Sequence, residues 1–274
     1  MDTTNKSSSS SSSSSGKDYD QTPIRVELNV DISCNSCIES IKNVFKQLSN
    51  TSIIDKDFSL QRIIVKTTDL TLDILDCLKD AGRNPSISGV GSGDNDNSVS
   101  KTAAAVCAVG TIEGWEKGCG GAGGEGVHGV YGPIRILQTN QSNKTLFEGR
   151  ITGLQQGKHS IVVHEFGDIE KGVNSVGNPY ISFDNQSTPA NKKILATSMV
   201  HQDGKAEFRV LSDKYDYWDL IGRSIVLHSH DDQDQLSKRL AVGIICRAAG
   251  VGQNLKKICP CDNQTDKRID DPKL

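Results

Sequence analysis

Four of the eight cysteines in this 274-residue chain stand in pairs whose spacing suits chemistry. Cys34 and Cys37 form a C-x-x-C, and Cys259 and Cys261 a C-x-C. Thiols spaced in the first way at a strand-to-helix junction can converge on one ion. The second sits in the opening helical turn, where the helix dipole lowers thiol pKa. Such thiolates select soft cations, above all Cu(I), which accepts low coordination numbers. Zinc would require two further ligands, and no second C-x-x-C or neighbouring histidine supplies them, so zinc is not expected. A redox pair of the thioredoxin kind and a structural site for another metal are the competing readings of Cys34 and Cys37. A disulfide between Cys259 and Cys261 would be strained and oxidising, and Pro260 stiffens the link and biases Cys259 toward an extended conformation. Thiol exchange with a partner, receipt of Cu(I) and a chance pair in a polar tail are all compatible with that spacing.

The histidines offer less. Val162 and His164 lie two apart on an apolar strand and share a face, as do His228 and His230 on a later one. His164, His228 and His230 could form an improvised metal site; the plainer reading leaves His164 and His228 hydrogen-bonded at the surface of a β domain. His128, His159 and His201 have no partner at useful spacing and read as solvent or loop residues. Cys77 falls in an apolar helical pattern and Cys107 and Cys246 in apolar strands, where a thiol packs as a small hydrophobe. Cys119, within the glycine-rich stretch from Gly114 to Gly132, has no assigned role.

The elements that must position these residues divide the chain. Ile24 to Val30 alternates as a strand, and Cys37, Ile41, Val44, Phe45 and Leu48 then repeat at helical spacing. An extended piece around Ile53, a strand from Arg62 to Lys66, a helix carrying Leu72, Leu75, Leu78 and Ala81 that ends at Gly82, and a strand near Ser86 to Ser88 complete βαββαβ, the ferredoxin-like α+β order. Residues 1–21 read as a disordered serine-rich start, 22–89 as the carrier domain, and 90–101, rich in Gly, Asn and Ser, as a linker. Residues 102–253 form an all-β domain. Strands are expected at Ala103–Val109, Ile134–Thr139, Thr145–Ile151, His159–Val163, Ala206–Leu211, Ser224–His228 and Ala241–Arg247. Residues 254–274 are a polar tail holding the C-x-C.

A net charge of -3 and a pI near 6.1 argue against nucleic-acid binding and direct attention to a protein or an ion as partner. No apolar run approaches membrane-spanning length and Met1 to Gly16 lacks the core of a signal peptide, so the protein is expected to be cytoplasmic, without membrane insertion. The Asn-x-Ser/Thr triplets then carry no glycosylation.

Three resemblances follow from longer stretches. Ile32-Ser33-Cys34-Asn35-Ser36-Cys37 within Ile24 to Gly89 resembles the heavy-metal-associated domain of small copper chaperones, with Ile32 where that family usually has Met. From Thr102 to Gln253 the chain resembles copper-zinc superoxide dismutase, in Gly153-Leu154 with Gly157, in His164-Glu165-Phe166-Gly167-Asp168, in Ile221-Gly222-Arg223 and in Arg239-Leu240-Ala241. That resemblance implies a Greek-key barrel in which His164 and His228 stand at two copper-ligand positions and Val162 at a third. It also implies that the bridging histidine is missing near Asn178 to Tyr180, and that the zinc ligands are missing from Asn191 to Ala196. Val173 and Val242 hold the positions of the family's disulfide.

The order of the three parts, with "YWDLIGRSIVLH", "RLAVGII", "RAAGVGQN" and "ICPCD", is similar to the copper chaperones for superoxide dismutase. The resemblance implies Cu(I) held by Cys34 and Cys37, and docking on a dismutase subunit as a heterodimer through Gly153, Gly222, Arg223 and the strand around Gly243 to Ile245. A homodimer through the same patch is possible. Cys259 and Cys261 would take part in metal transfer and disulfide exchange. A copper-binding protein with residual dismutase activity, and a copper buffer without a client, are the rival readings.

Overall fold

The computed structural model describes residues 19–93, 104–110, 129–139, 144–182, 188–230, 236 and 238–254. The first domain comprises β1 (Ile24–Asn29), α1 (Asn35–Phe45), β2 (Thr51–Asp57), β3 (Arg62–Thr67), α2 (Thr71–Asp80) and β4 (Ser86–Ser92). Its antiparallel sheet has the order β2-β3-β1-β4. Ile24, Val26 and Leu28 alternate along β1 onto the face that meets Ile38, Ile41 and Phe45 of α1 and Ile74 and Leu78 of α2. The buried face of α2 is turned from the leucine pattern: Thr71, Ile74 and Leu78 are buried, while Leu72 and Leu75 are only half-buried and Ala81 is exposed. Gly82, at φ +76°, closes this helix. Its N–H donates to Lys79 O at 2.8 Å and the Arg83 N–H to Leu78 O at 3.0 Å. β4 continues to Ser92, past Gly89, where composition places the start of a linker.

The second domain is an antiparallel barrel of eight strands: β5 (Ala104–Gly110), β6 (Tyr131–Gln138), β7 (Thr145–Ile151), β8 (Gly157–His164), β9 (Ile194–Val200), β10 (Ala206–Ser212), β11 (Ser224–Ser229) and β12 (Lys238–Ala248). Their order is β10-β7-β6-β5-β12-β11-β8-β9, so the β7–β8 and β10–β11 connections cross between non-adjacent strands in Greek-key fashion. The outer strands β9 and β10 face one another, Ser198 Oγ donating to Glu207 O at 3.3 Å, which nearly closes the barrel. A short helix, α3 (Tyr217–Leu220), precedes β11. Inside lie Ile134, Ile136, Phe147, Ile161, Val163, Phe208, Tyr215 and Tyr217. Cys107 is part of this core, whereas Cys246 is exposed, because alternation along β12 turns Ile245 inward and its neighbour out.

The domains pack against each other. Leu137 of β6 and Leu146 of β7, on the outside of the barrel, are fully buried in the same apolar cluster as Ile74 and Leu78. Arg150 of β7 reaches Asp73 and Asp76 on α2 and, through Nε at 2.6 Å, Glu207 on β10. Arg209, wholly buried on β10, pairs with Glu148 and donates to the carbonyls of Asp20 at 2.9 Å and Thr22 at 2.6 Å. Residues 19–22, expected to straddle the end of the serine-rich start, therefore lie along the barrel.

Candidate functional site

Cys34 is the N-cap residue of α1 and Cys37 lies in its first turn, the Cys37 N–H donating to Cys34 O at 3.2 Å. The two sulfurs are 3.6 Å apart. With metal–sulfur bonds of about 2.3 Å, both reach a single ion. Cys34 Sγ lies 2.9 Å from Ser36 Oγ, and Cys37 Sγ 3.7 Å from Ser33 Oγ. Hydrogen bonds from Ser36, then from the Cys37 backbone and side chain, bring the Cys34 thiol down to about 6, so it is largely thiolate at neutral pH. Cys34 is exposed and Cys37 half-buried, open to a donor or an acceptor of the ion. Ile32 is buried in the same apolar cluster against which Cys37 packs, so this position is filled by an apolar core side chain.

In the barrel, β8 and β11 pair so that His164 lies opposite Ser224 and His228 opposite Ser160. Both histidines are buried, not at the surface. Their rings stack, and Nε2 faces Nε2 at 3.0 Å. His164 Nδ1 lies 3.1 Å from Gly177 O, to which it donates. Burial holds the His164 imidazole at about 3, against the opposing effect of the Gly177 bond, so it is neutral. His230 does not join them; its Nδ1 lies 3.5 Å from Ser160 Oγ. Val162 is fully buried, and Pro179 bridges to His164 where the resemblance places a metal-bridging histidine.

The dismutase fold implies copper and zinc here, and the residues present do not fit them. The two imidazole nitrogens engage each other, Val162 has no lone pair, and among the described residues no three His, Cys, Asp or Glu side chains cluster as ligands. Val173 and Val242 meet in a small apolar cluster with Val176, Val226 and Ile169, filling by packing the place of the family's disulfide.

The expected docking residues separate. Gly222, exposed and at φ +84°, donates its N–H to Ile245 O at 3.0 Å, and Ile245 donates to Arg223 O at 2.8 Å. The same surface carries two aromatics, Phe166 at 56% and Trp218 at 58% exposure. The Arg247 guanidinium lies 5.8 Å from the Trp218 ring. Arg223 braces this surface from behind: it stacks 3.6 Å over Tyr180, donates to Glu165 O at 2.7 Å and pairs with Asp219 at 2.7 Å. Gly153 lies beyond the opposite end of β8, where Leu154 N–H donates to Gly204 O at 3.1 Å, and does not share the surface. Sequence reading did not single out Phe166 and Trp218 individually; Phe166 lay inside a motif carrying the dismutase resemblance and Trp218 inside one carrying the copper-chaperone resemblance, and only exposure marks them. Cys259, Cys261, Cys119 and His128 lie outside the described residues.

Together these features define a class: a small α+β domain bearing a paired-thiol site, fused to a dismutase-type barrel in which hydrogen bonds and valines stand at the described metal-ligand and disulfide positions. Residues 130–245 match the family model described as copper/zinc superoxide dismutase (SODC). The chain is 31% identical over 261 residues to the copper chaperone for superoxide dismutase of Mus musculus, covering 89% of this chain and 88% of that protein. It is 31% identical over 258 residues to that of Homo sapiens, covering 88% and 86%. To the superoxide dismutase 1 copper chaperone of Saccharomyces cerevisiae it is 27% identical over 242 residues, covering 86% and 90%. The chain belongs to the family of copper chaperones for superoxide dismutase.

Proposed function

We propose that this protein carries Cu(I) on Cys34 and Cys37 and delivers it to a copper-zinc superoxide dismutase subunit. The observation that carries the reading is the thiol pair with its sulfurs 3.6 Å apart and Cys34 exposed and largely ionised, in a molecule whose barrel shows no ligand cluster for copper among the described residues. Ions pass between thiolates by shared coordination, without release to water. The surface around Gly222, Phe166 and Trp218 docks the client in place of its second subunit, as a self-complementary dimer patch allows, and pairs two copies of the chain when no client is present. Cys259 and Cys261 receive the ion and complete maturation. Once the ion has passed on, a two-electron oxidant such as dioxygen joins the two thiols, and their disulfide then takes two electrons and two protons from a pair of client thiols, leaving the client bridged and the C-x-C reduced. The setting is the cytoplasm, where thiols stay reduced, and the metal is Cu(I) without zinc.

The test mixes copper-loaded protein with metal-free, reduced dismutase in air-equilibrated buffer, dioxygen being the electron acceptor, and measures activity, heterodimer formation and client disulfide. Activation is expected. It should be lost in Cys34→Ser when copper is limiting, and in Cys259→Ser plus Cys261→Ser with docking intact. Phe166→Glu with Trp218→Glu should weaken docking about a hundredfold or more, with Cu(I) binding unchanged. Superoxide removal by the copper- and zinc-loaded chain alone at a dismutase rate would sink the chaperone reading; copper binding with neither docking nor activation would leave a buffer.

A further inference from the structure

The face of the carrier sheet turned away from α1 and α2 holds a buried carboxylate. Glu27, on β1, is fully buried, and its Oε1 accepts from Arg62 Nη1 at 3.2 Å. Its Oε2 accepts from the backbone N–H of Gly252 at 2.5 Å. Gly252, at φ +77°, belongs to a turn that leaves the barrel after β12, in which Gln253 N–H donates to Gly250 O at 3.1 Å and Gly250 N–H to Gln253 Oε1 at 2.9 Å. Val90 N–H of β4 donates to Ala249 O at 3.2 Å. Gly89 permits this approach, since a Cβ there would stand 2.5 Å from Gly250 O. The chain therefore starts its tail from the carrier domain and not from the barrel that precedes it.

We propose that this turn, seated on Glu27 between β1 and β4, is a socket that keeps Cys259 and Cys261 on a short tether to Cys34 and Cys37 of the same chain. The proposal rests on the copper-transfer reading above and adds Glu27 as its positioning residue. Cys259 lies seven positions beyond Gly252. Extended, that stretch spans about 25 Å. A domain of the carrier's length is about 28 Å across, so the tether is comparable in length to the domain that carries Cys34 and Cys37. Released to Ala248, the tether grows to eleven residues and loses its fixed origin. Effective concentration falls roughly twofold from length alone, and further from lost direction.

The experiment uses the full chain with three single variants. Glu27→Ala removes the acceptor of the Gly252 amide, Glu27→Gln keeps an acceptor oxygen, and Gly89→Ala pushes the turn away while leaving Glu27 and Arg62 intact. Hydrogen exchange of residues 248–254 reads the seat. Pulse alkylation with mass spectrometry, after one equivalent of glutathione-bound Cu(I), reads the movement of protection from Cys34 and Cys37 to Cys259 and Cys261. Direct loading of the tail is subtracted with a Cys34→Ser, Cys37→Ser chain. Glu27→Ala and Gly89→Ala should each lose protection of the turn and slow transfer about two- to fivefold, Glu27→Gln should restore most of it, and Cu(I) affinity at Cys34 and Cys37 should be unchanged in all three. Native transfer rates in both unseated variants would overturn the socket, as would a loss confined to Glu27→Ala with weakened Cu(I) affinity, which marks damage to the domain. A native chain whose tail never gains protection refutes tail transfer itself, a failure visible before any variant is made.

Discussion

Cys34 owes its acidity first to a hydroxyl and only then to the helix it caps. Ser36 lies 2.9 Å from its sulfur, and the Cys37 N–H and thiol contribute after it. Because these bonds favour the charged form, Ser36→Ala should raise the Cys34 pKa by about one unit. The midpoint of its alkylation rate against pH should move upward from about 6 by that amount, while an unchanged profile would remove Ser36 from the site. His164 makes the opposite case, a residue shaped by what it no longer does. Burial lowers its pKa to about 3, below the roughly 6.5 of an unfolded histidine. The unfolded chain thus binds a proton that the folded one refuses, and the associated stability, complete above pH 6.5, declines as pH falls toward 3. Between pH 7 and 5 the native barrel should lose about 2 kcal/mol more stability than a His164→Asn variant in urea titrations at the two pH values. The C-x-x-C was legible because two cysteines and a helix start suffice to define it. The closing of His164 on His228 was not, since the bond joins two strands far apart in sequence.

At the scale of elements, most barrel strands were legible in position. β7 spans the expected residues although both its faces are buried, one in the barrel and one against the first domain, and the others shift by a few positions. β9 went unread because its segment coincides with the place of a zinc loop in the resemblance, and the strand begins where that loop's ligands would stand. The burial of α2 was misread because packing against β7 as well as the sheet selects Ile74 and Leu78 over the more regular leucines. β10 carries the strongest single tie. Arg209 and Glu148 are both buried, and the guanidinium also holds two carbonyls more than 180 residues earlier in the chain. Arg209→Ala would leave the buried Glu148 carboxylate with Arg135, opposite it on β6, as its remaining charged neighbour, and a loss of about 3–5 kcal/mol is expected in chemical denaturation, with proteolysis opening at residues 19–22. A loss near zero would mean that Glu148 is neutral in the folded protein.

For the whole molecule, the arrangement of the two domains was the least legible feature, because Asp73, Asp76 and Arg150 look like ordinary solvated charges until the fold brings them together. Arg150 joins α2 to two barrel strands at once. Arg150→Glu should repel the carrier domain, replacing a single thermal transition with two and enlarging the radius of gyration in scattering; Asp73→Arg with Asp76→Arg in that background should bring both back. A single transition in the Glu variant would assign the contact to Leu137 and Leu146 alone. The valine cluster that joins Val173 to Val242 has a different reach. With all described cysteines free, a reductant finds no covalent bond to cut in the described part of this barrel. The described domains can therefore stay folded while Cys34 and Cys37 remain reduced and open, so their shape is uncoupled from the electron economy in which these sulfur atoms trade.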